Sequence, residues 1–234
     1  MIRFLRPFDP HLLRLLVFDL DGTLIDSRLD LIHSVNAALR HIGRPELDGD
    51  VIAGYVGDGA PVLMRRALGD ANDESLLIAA LEYFLSYYRQ HKLDHTTVYE
   101  GIPEILSSLA ESSNGIGGNG LQMAVLSNKP VNPTRDILRA LGLNEFFVKI
   151  YGGNSFTTKK PDSLGVKTLL LETGVPAEEA LMIGDSSVDV MTGRNAGLWT
   201  CGVTYGFAPH SLGEVPPDVL IENPKDLREL LLRI

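Results

Sequence analysis

Two aspartates, Asp19 and Asp21, stand one residue apart at the end of a short apolar run and are followed by Gly22 and Thr23. Residues two apart on an extended segment point to one side, so both carboxylates can face one pocket across roughly 7 Å. Such a pair suits a division of labour, one carboxylate as nucleophile and the other as general acid and base. With a reference pKa of about 3.9, the first is ionised at neutral pH and attacks without help. The second must hold a proton, which burial and a neighbouring carboxylate favour. A single Asp after a strand ordinarily starts a turn or caps a helix. The D-x-D-G-T pattern fixes four positions and arises about once in 160,000 windows at uniform residue frequencies, which moves the reading from turn to chemistry.

Two more apolar runs end in polar clusters, Leu126-Ser127-Asn128-Lys129 and Ile183-Gly184-Asp185-Ser186-Ser187-Val188-Asp189. Bringing three distant clusters together requires a scaffold, and the hydrophobic pattern supplies one. Leu15 to Phe18, Met123 to Leu126, Val148 to Tyr151, Ala180 to Ile183 and Thr200 to Thr204 read as buried strands, with Val219 to Ile221 as a weaker sixth. Helical patterns lie between them at Ile102 to Ala110, Pro133 to Leu141, Ser163 to Glu172 and Asp189 to Ala196. This alternation predicts an α/β fold with a doubly wound, mostly parallel, Rossmann-like sheet, whose ligands bind beyond the carboxyl ends of the strands. The three clusters lie at that edge.

Ser27 to about His95 breaks the alternation, with no convincing strand and at least three helical patterns. Leu31, Val35, Ala38 and Ile42 mark the first, stopped by Gly43 and Pro45; Leu63 to Leu68 and Glu74 to Arg89 supply the others. The expected organisation is an α/β core of residues 1–26 and 96–234, with an all-helical cap of residues 27–95 inserted after the first strand. The loop after that strand and the segment near Asp94 to Tyr99 are the natural hinges for closure.

A chain of 234 residues that is 44% hydrophobic should bury one core with a smaller insert. Thirty acidic against twenty-one basic residues give a net charge of −9, the wrong sign for nucleic acid or an anionic membrane. A phosphorylated substrate therefore needs a local cation. The single Cys201 excludes an internal disulfide and reads as a small buried residue in a reducing compartment. The apolar run from Leu12 to Phe18 contains Arg14 and falls far short of the roughly 20 residues of a membrane span. No signal-peptide cleavage pattern follows it, and a cytoplasmic location is expected.

In their order and spacing these motifs resemble the haloacid dehalogenase-like superfamily, over nearly the whole chain after about Leu13. Asp19 to Thr23 matches its first motif, an apolar strand followed by D-x-D-G-T/V, and Ser127 ends a strand as the second requires. Lys160 with Pro161 is similar to the third, Gly184 to Asp189 to the fourth, and the insert to the superfamily's helical cap. The resemblance implies that Asp19 attacks phosphorus to give an aspartyl-phosphate, while Asp21 protonates the leaving oxygen and then activates water. It implies Mg²⁺ held by Asp19, Asp185 and the backbone carbonyl of Asp21. A dianionic phosphate approaching two carboxylates needs such a cation, and Mg²⁺ suits an all-oxygen site. Ser127 and the Asn128 backbone amide, with Thr23, would bind the phosphoryl group, and Lys160 would supply positive charge. Lys159 competes for that last role. Asp189 is either a helix N-terminal charge or a support behind Lys160 and the metal. Ser163 stands where relatives often carry a second proline, leaving the start of the following helix open.

Asp21 favours phosphatase over dehalogenase chemistry, because carbon–halogen hydrolysis gives no leaving alkoxide to protonate. The cap segments Tyr55-Val56-Gly57-Asp58-Gly59-Ala60 and Arg65-Arg66-Ala67-Leu68, with Ser127-Asn128-Lys129-Pro130 and Val203-Thr204-Tyr205-Gly206, resemble bacterial phosphoglycolate phosphatases. That implies hydrolysis of 2-phosphoglycolate to glycolate and phosphate by a monomer or homodimer. Gly57 and Gly59 would allow close backbone approach, and Arg66, or Arg65, would pair with the substrate carboxylate. Another small phosphorylated metabolite, pyrophosphate, and a sugar phosphomutase reaction on the same aspartates are the alternatives. A noncatalytic binding module is disfavoured by the complete motif set.

Three other signals read as structure. Gly115 to Gly120 spells G-x-G-x-x-G but follows a helix and opens a strand, the reverse of a dinucleotide site, so Ser112 to Gly120 reads as a surface loop. His91 and His95 lack a third ligand. Tyr83, Phe84, Tyr87 and Tyr88 form a stripe expected to pack the cap.

Overall fold

The structure is a computed structural model that describes residues 1–69, 73–114 and 120–231. Its strands are β1 (Ile2–Phe4), β2 (Leu15–Phe18), β3 (Ile25–Asp26), β4 (Thr97–Val98), β5 (Gln122–Leu126), β6 (Lys149–Tyr151), β7 (Ala180–Gly184), β8 (Trp199–Val203) and β9 (Val219–Ile221). The helices are α1 (Arg28–His41), α2 (Gly49–Ala53), α3 (Ala60–Ala67), α4 (Glu74–His91), α5 (Ile102–Asn114), α6 (Val131–Ala140), α7 (Leu164–Thr173), α8 (Ser187–Ala196) and α9 (Pro224–Leu231). The main sheet runs β1-β9-β8-β7-β2-β5-β6, parallel except for the antiparallel edge strand β1. The chain winds outward from β2 in one direction through β5 and β6, and in the other through β7, β8 and β9. That reversal places the switch point at the carboxyl end of β2.

Register fixes what meets there. Phe18 is level with Val125 on one side and Ile183 on the other, so Asp19, Ser127 and Asp185 emerge at nearly the same height. Alternation assigns the faces. Leu16, Phe18, Met123, Val125, Leu181 and Ile183 pack on one side with Ile105 and Leu109 of α5 and Leu227 and Leu230 of α9. Leu15, Val17, Ala124, Leu126 and Met182 pack on the other with Val166 and Leu169 of α7. β2 is wholly buried, as expected of a central parallel strand.

Helices α1 to α4 enclose an apolar cluster of their own, including Leu31, Val35, Met64, Ala80, Phe84 and Tyr88, which Phe207 from beyond β8 joins. The chain enters and leaves these helices side by side, because β3 pairs antiparallel with β4. Asp30 ties the same junction. Its carboxylate is buried and accepts from the His95 and Thr96 amides and the Thr96 hydroxyl at 2.7–3.1 Å.

Several elements differ from the sequence expectation. β1 and α9 were not expected; β1 is a three-residue edge strand, largely exposed and carrying Arg3, so it lacks a buried face to mark it. β3 and β4 are two residues each, too short for any periodicity. α5 continues to Asn114, which moves Ser112 to Asn114 from loop to helix, while Gly115 to Asn119 lie outside the described residues. No helix among the described residues is long and apolar enough to cross a membrane.

Candidate active site

Asp19 follows β2 directly and is buried. Its Oδ1 lies 2.7 Å from Lys160 Nζ, which also meets Asp189 Oδ1 at 2.6 Å. Asp189 accepts in turn from the Ser186 amide and hydroxyl at 3.2 and 2.7 Å, fixing one end of α8 against the lysine. This answers the choice between the two lysines: Lys160 is buried in the carboxylate cluster, whereas Lys159 is exposed and donates to the Asp58 carbonyl of the cap. Asp189 is buried behind Lys160 in the supporting position. Ser163 precedes α7, with Asp162 Oδ1 accepting from the Leu164 amide at 2.8 Å, and Lys160 still reaches Asp19.

Asp185 follows β7, and its Oδ2 accepts from the Phe207 and Ala208 amides at 2.5 and 3.2 Å. The fit is close: a Cβ on Gly22 would stand 2.2 Å from Asp185 Oδ2, and Gly22 has φ +79°, so only glycine turns the chain there. Carboxylate oxygens of Asp19, Asp185 and Asp189 all lie within 4.8 Å of one another. Burial pushes Asp185 up to about 8, reinforced by Asp189 and Asp19. Burial likewise raises Asp19 to about 6, against the pull of Lys160. Carboxylates held this far above their ordinary range lack enough positive charge, and an all-oxygen donor set of this kind fits a hard divalent cation.

Asp21 has different partners. The Ser27 hydroxyl donates to its Oδ1 at 2.5 Å, and Lys129 Nζ lies 2.8 Å from both of its oxygens. Burial opposes charge on Lys129, but Asp21 and Tyr88 overcome it and hold the ammonium above its ordinary value. Lys129 Nζ sits 4.8 Å from the centre of the Tyr88 ring on α4. Sequence reasoning assigned no role to Lys129. The only signal was its place two residues after Ser127, and its partner lies 108 positions away.

A cavity of about 690 Å³ opens over these groups between α1 to α4 and the sheet edge. Asp19, Asp21, Ser127, Asn128, Asp185, Gly57 and Gly59 all line it. The cap loop touches the second cluster directly, since Asn128 Nδ2 donates to the Gly57 carbonyl at 2.9 Å and to the Lys160 carbonyl at 3.1 Å. Ser127 is buried, its hydroxyl accepting from the Lys129 amide at 3.2 Å.

Two expected binding residues fall elsewhere. Thr23 is buried beneath the loop and does not line the cavity; its carbonyl accepts from the Tyr205 hydroxyl at 3.0 Å. Arg66 does not line the cavity either. Its guanidinium meets Asp58 at 2.7 Å and the Tyr55 carbonyl at 3.1 Å, bracing the Tyr55 to Gly59 loop from behind. Arg65 pairs with Glu74 at 2.8 Å in solvent. Both arginines are held by partners within the cap, and neither lines the cavity. Phe84 and Tyr88 pack the cap as the aromatic stripe predicts, and they also wall the cavity.

Comparison with known proteins agrees with this geometry. Residues 16–203 match the model of the haloacid dehalogenase-like hydrolases. A phosphoglycolate phosphatase of Pseudomonas savastanoi pv. phaseolicola is 37% identical over 99% of this chain and 83% of its own length. One of Vibrio cholerae is 34% identical over 94% of this chain and 97% of its own. The crystal structure of a predicted phosphoglycolate phosphatase from Haemophilus somnus superimposes with a TM-score of 0.84 at 28% identity, covering 94% of this chain and 98% of that one. A match spanning all three polar clusters and the helical insert, with relatives alike from end to end, places the chain in the haloacid dehalogenase-like hydrolase family.

Proposed function

We propose that this chain is a Mg²⁺-dependent phosphatase that hydrolyses 2-phosphoglycolate to glycolate and phosphate through an aspartyl-phosphate on Asp19. One observation carries the reaction class: two carboxylates face one cleft with different electrostatic partners. Asp19 faces the cluster with Asp185 and Lys160, where a phosphoryl group can be neutralised. Asp21 sits to one side against Ser27 and Lys129, free of that cluster. Asp19 is thus the nucleophile, and Asp21, 2.8 Å from the Lys129 ammonium, must take up a proton before it gives one to the leaving oxygen and later takes one from water. Asp19, Asp185 and the Asp21 carbonyl would hold Mg²⁺, which when bound would supply positive charge to the carboxylate cluster and an anionic substrate. Lys160 adds a cation aimed by Asp189, and Ser127 with the Asn128 amide receives phosphoryl oxygens. Residues 27–95 act as a cap over the core of residues 1–26 and 96–234, closing about the β3–β4 ribbon to exclude water.

The substrate rests on the near full-length relatives named phosphoglycolate phosphatase and on the Gly57 to Gly59 loop seated against Asn128. Phosphate release from 2-phosphoglycolate, sugar phosphates, nucleotides and pyrophosphate, with and without Mg²⁺, tests it. Preference for 2-phosphoglycolate is expected. Faster metal-dependent release from another monoester would overturn the substrate and keep the mechanism, and phosphoryl retention on a sugar would point to a mutase.

The carboxylate cluster predicts a pH dependence of stability. Asp19 and Asp185 are raised in the fold, so protons stay bound that the unfolded chain has lost. Their contribution is fully present below about pH 4 and disappears as pH rises through about 6 and then 8. A divalent cation held by these carboxylates would take the place of those protons. The increase in Tm on saturation with Mg²⁺ should therefore be larger at about pH 8 than at about pH 5.5. An equal increase at both values would show that the ion does not compete with protons at this cluster.

A further inference from the structure

Three cations line the cavity among the described residues: Arg89, Lys92 and Lys129. Arg89 is exposed, and Lys92 is drawn toward Asp136 at 3.5 Å and the Arg89 carbonyl at 3.0 Å. Lys129 alone sits deep in the cleft, its side chain 6% exposed, and beyond its pairing with Asp21 it has no contact with the phosphoryl-side cluster of Asp19, Asp185 and Lys160. Lys160 already serves the nucleophile. An ammonium has three N–H donors, and two Asp21 oxygens occupy at most two of them. Beside it, on the cap, the buried Tyr88 hydroxyl interacts with the Lys129 ammonium but makes no well-aligned hydrogen bond, and it also borders the cavity. A core ammonium and a cap phenol, each more than nine-tenths buried, thus flank the same corner.

That corner has a fixed relation to the substrate. The leaving oxygen must come within about 3 Å of Asp21 to receive its proton. Lys129 Nζ is 2.8 Å from the same carboxylate, so a group carried two bonds beyond the leaving oxygen comes within its reach. We infer that Lys129 and Tyr88 form the receptor for a second anionic group on the leaving-group side of the substrate, and that this group is a carboxylate. Lys129 then takes the role expected of Arg66, whose guanidinium braces the cap loop instead. Because one donor belongs to the core and the other to the cap, a substrate bearing the carboxylate joins the two parts, while a neutral ester leaves a buried ammonium underpaired. The inference rests on the 2-phosphoglycolate reading and deepens it.

The test compares kcat/KM for 2-phosphoglycolate and for 2-hydroxyethyl phosphate, a neutral ester of the same length, in wild type, Lys129→Met, Lys129→Arg and Tyr88→Phe. Losing one side of a buried charged pair predicts that Lys129→Met lowers the preference for 2-phosphoglycolate by about 100-fold, beyond any loss shared by both esters. Tyr88→Phe, which changes one hydroxyl and leaves the packing, should lower it by about tenfold. Lys129→Arg should keep most of it. Competitive inhibition by glycolate should weaken in step, a binding readout independent of proton transfer. Equal losses on both esters in Lys129→Met and Tyr88→Phe would overturn the receptor, leaving Lys129 as a support for Asp21. Pyrophosphate is the other arm: a loss confined to it would assign the corner to a phosphoryl group and overturn the carboxylate. A wild-type enzyme indifferent to the carboxylate would count against the substrate reading itself, and that is seen before any variant is made.

Discussion

Asp19→Asn should lower phosphate release by at least about 10⁴-fold and leave no phosphoryl adduct on the protein after acid quenching, where the wild type carries one on Asp19. The amide has the carboxylate's shape but is no nucleophile, and the rest of the site stays in place to show that only attack is lost. Lys160 keeps its 2.6 Å contact with Asp189, and Asp185 keeps the Phe207 and Ala208 amides. The fold should not suffer. Burial raises Asp19 to about 6 against the pull of Lys160, with Asp189 and Asp21 adding repulsion, so neutralising it relieves a buried charge along with the loss of one ion pair, and Tm without metal should hold or rise. The rate from acid-quench mass analysis and the Tm are read on one preparation. Activity within tenfold of wild type would remove Asp19 from the nucleophile's place.

The chemistry was easier to read in the chain than its fine positioning, for a physical reason. Parallel strands buried on both faces appear as apolar runs, and the residue after each run lies at the binding edge, so Asp19, Ser127 and Asp185 announce themselves. Their common height follows from the register of β2 with β5 and β7. Long side chains are different. Where Lys129, Lys159, Lys160 and Arg66 end depends on partners far along the chain, and local pattern carries no trace of Asp21 or Asp58 as those partners. Arg66 illustrates the cost of reasoning from type alone: a guanidinium near a suspected pocket found a carboxylate and a carbonyl on its own cap. The junction at β3 and β4 shows the same limit. Asp30 reads as one more polar residue on α1, yet it accepts three groups from residues 65 and 66 positions away.

The separate surroundings of Asp21 lead to a second large effect, one that depends on the leaving group. Asp21→Asn can neither protonate the leaving oxygen nor take a proton from water, while Asp19, Lys160 and Asp185 are untouched. With 2-phosphoglycolate the departing alkoxide needs that proton, and turnover should fall by about 10²- to 10⁴-fold. With p-nitrophenyl phosphate the departing phenolate leaves unprotonated, so Asp19 should still be phosphorylated at a substantial rate. The second step then fails for want of a base. The variant should release about one nitrophenolate per active site in a rapid burst and stall, with the phosphoryl adduct accumulating on Asp19. Asp19→Asn should show no burst with either ester. The amide oxygen can still accept from Ser27 and Lys129 at the Oδ1 position, while its NH2 group replaces the second oxygen that Lys129 meets, so the asparagine keeps one of the two contacts to the ammonium. Steady turnover of p-nitrophenyl phosphate by Asp21→Asn at the wild-type rate, without a burst, would mean that another group activates water and that the two aspartates do not divide the work.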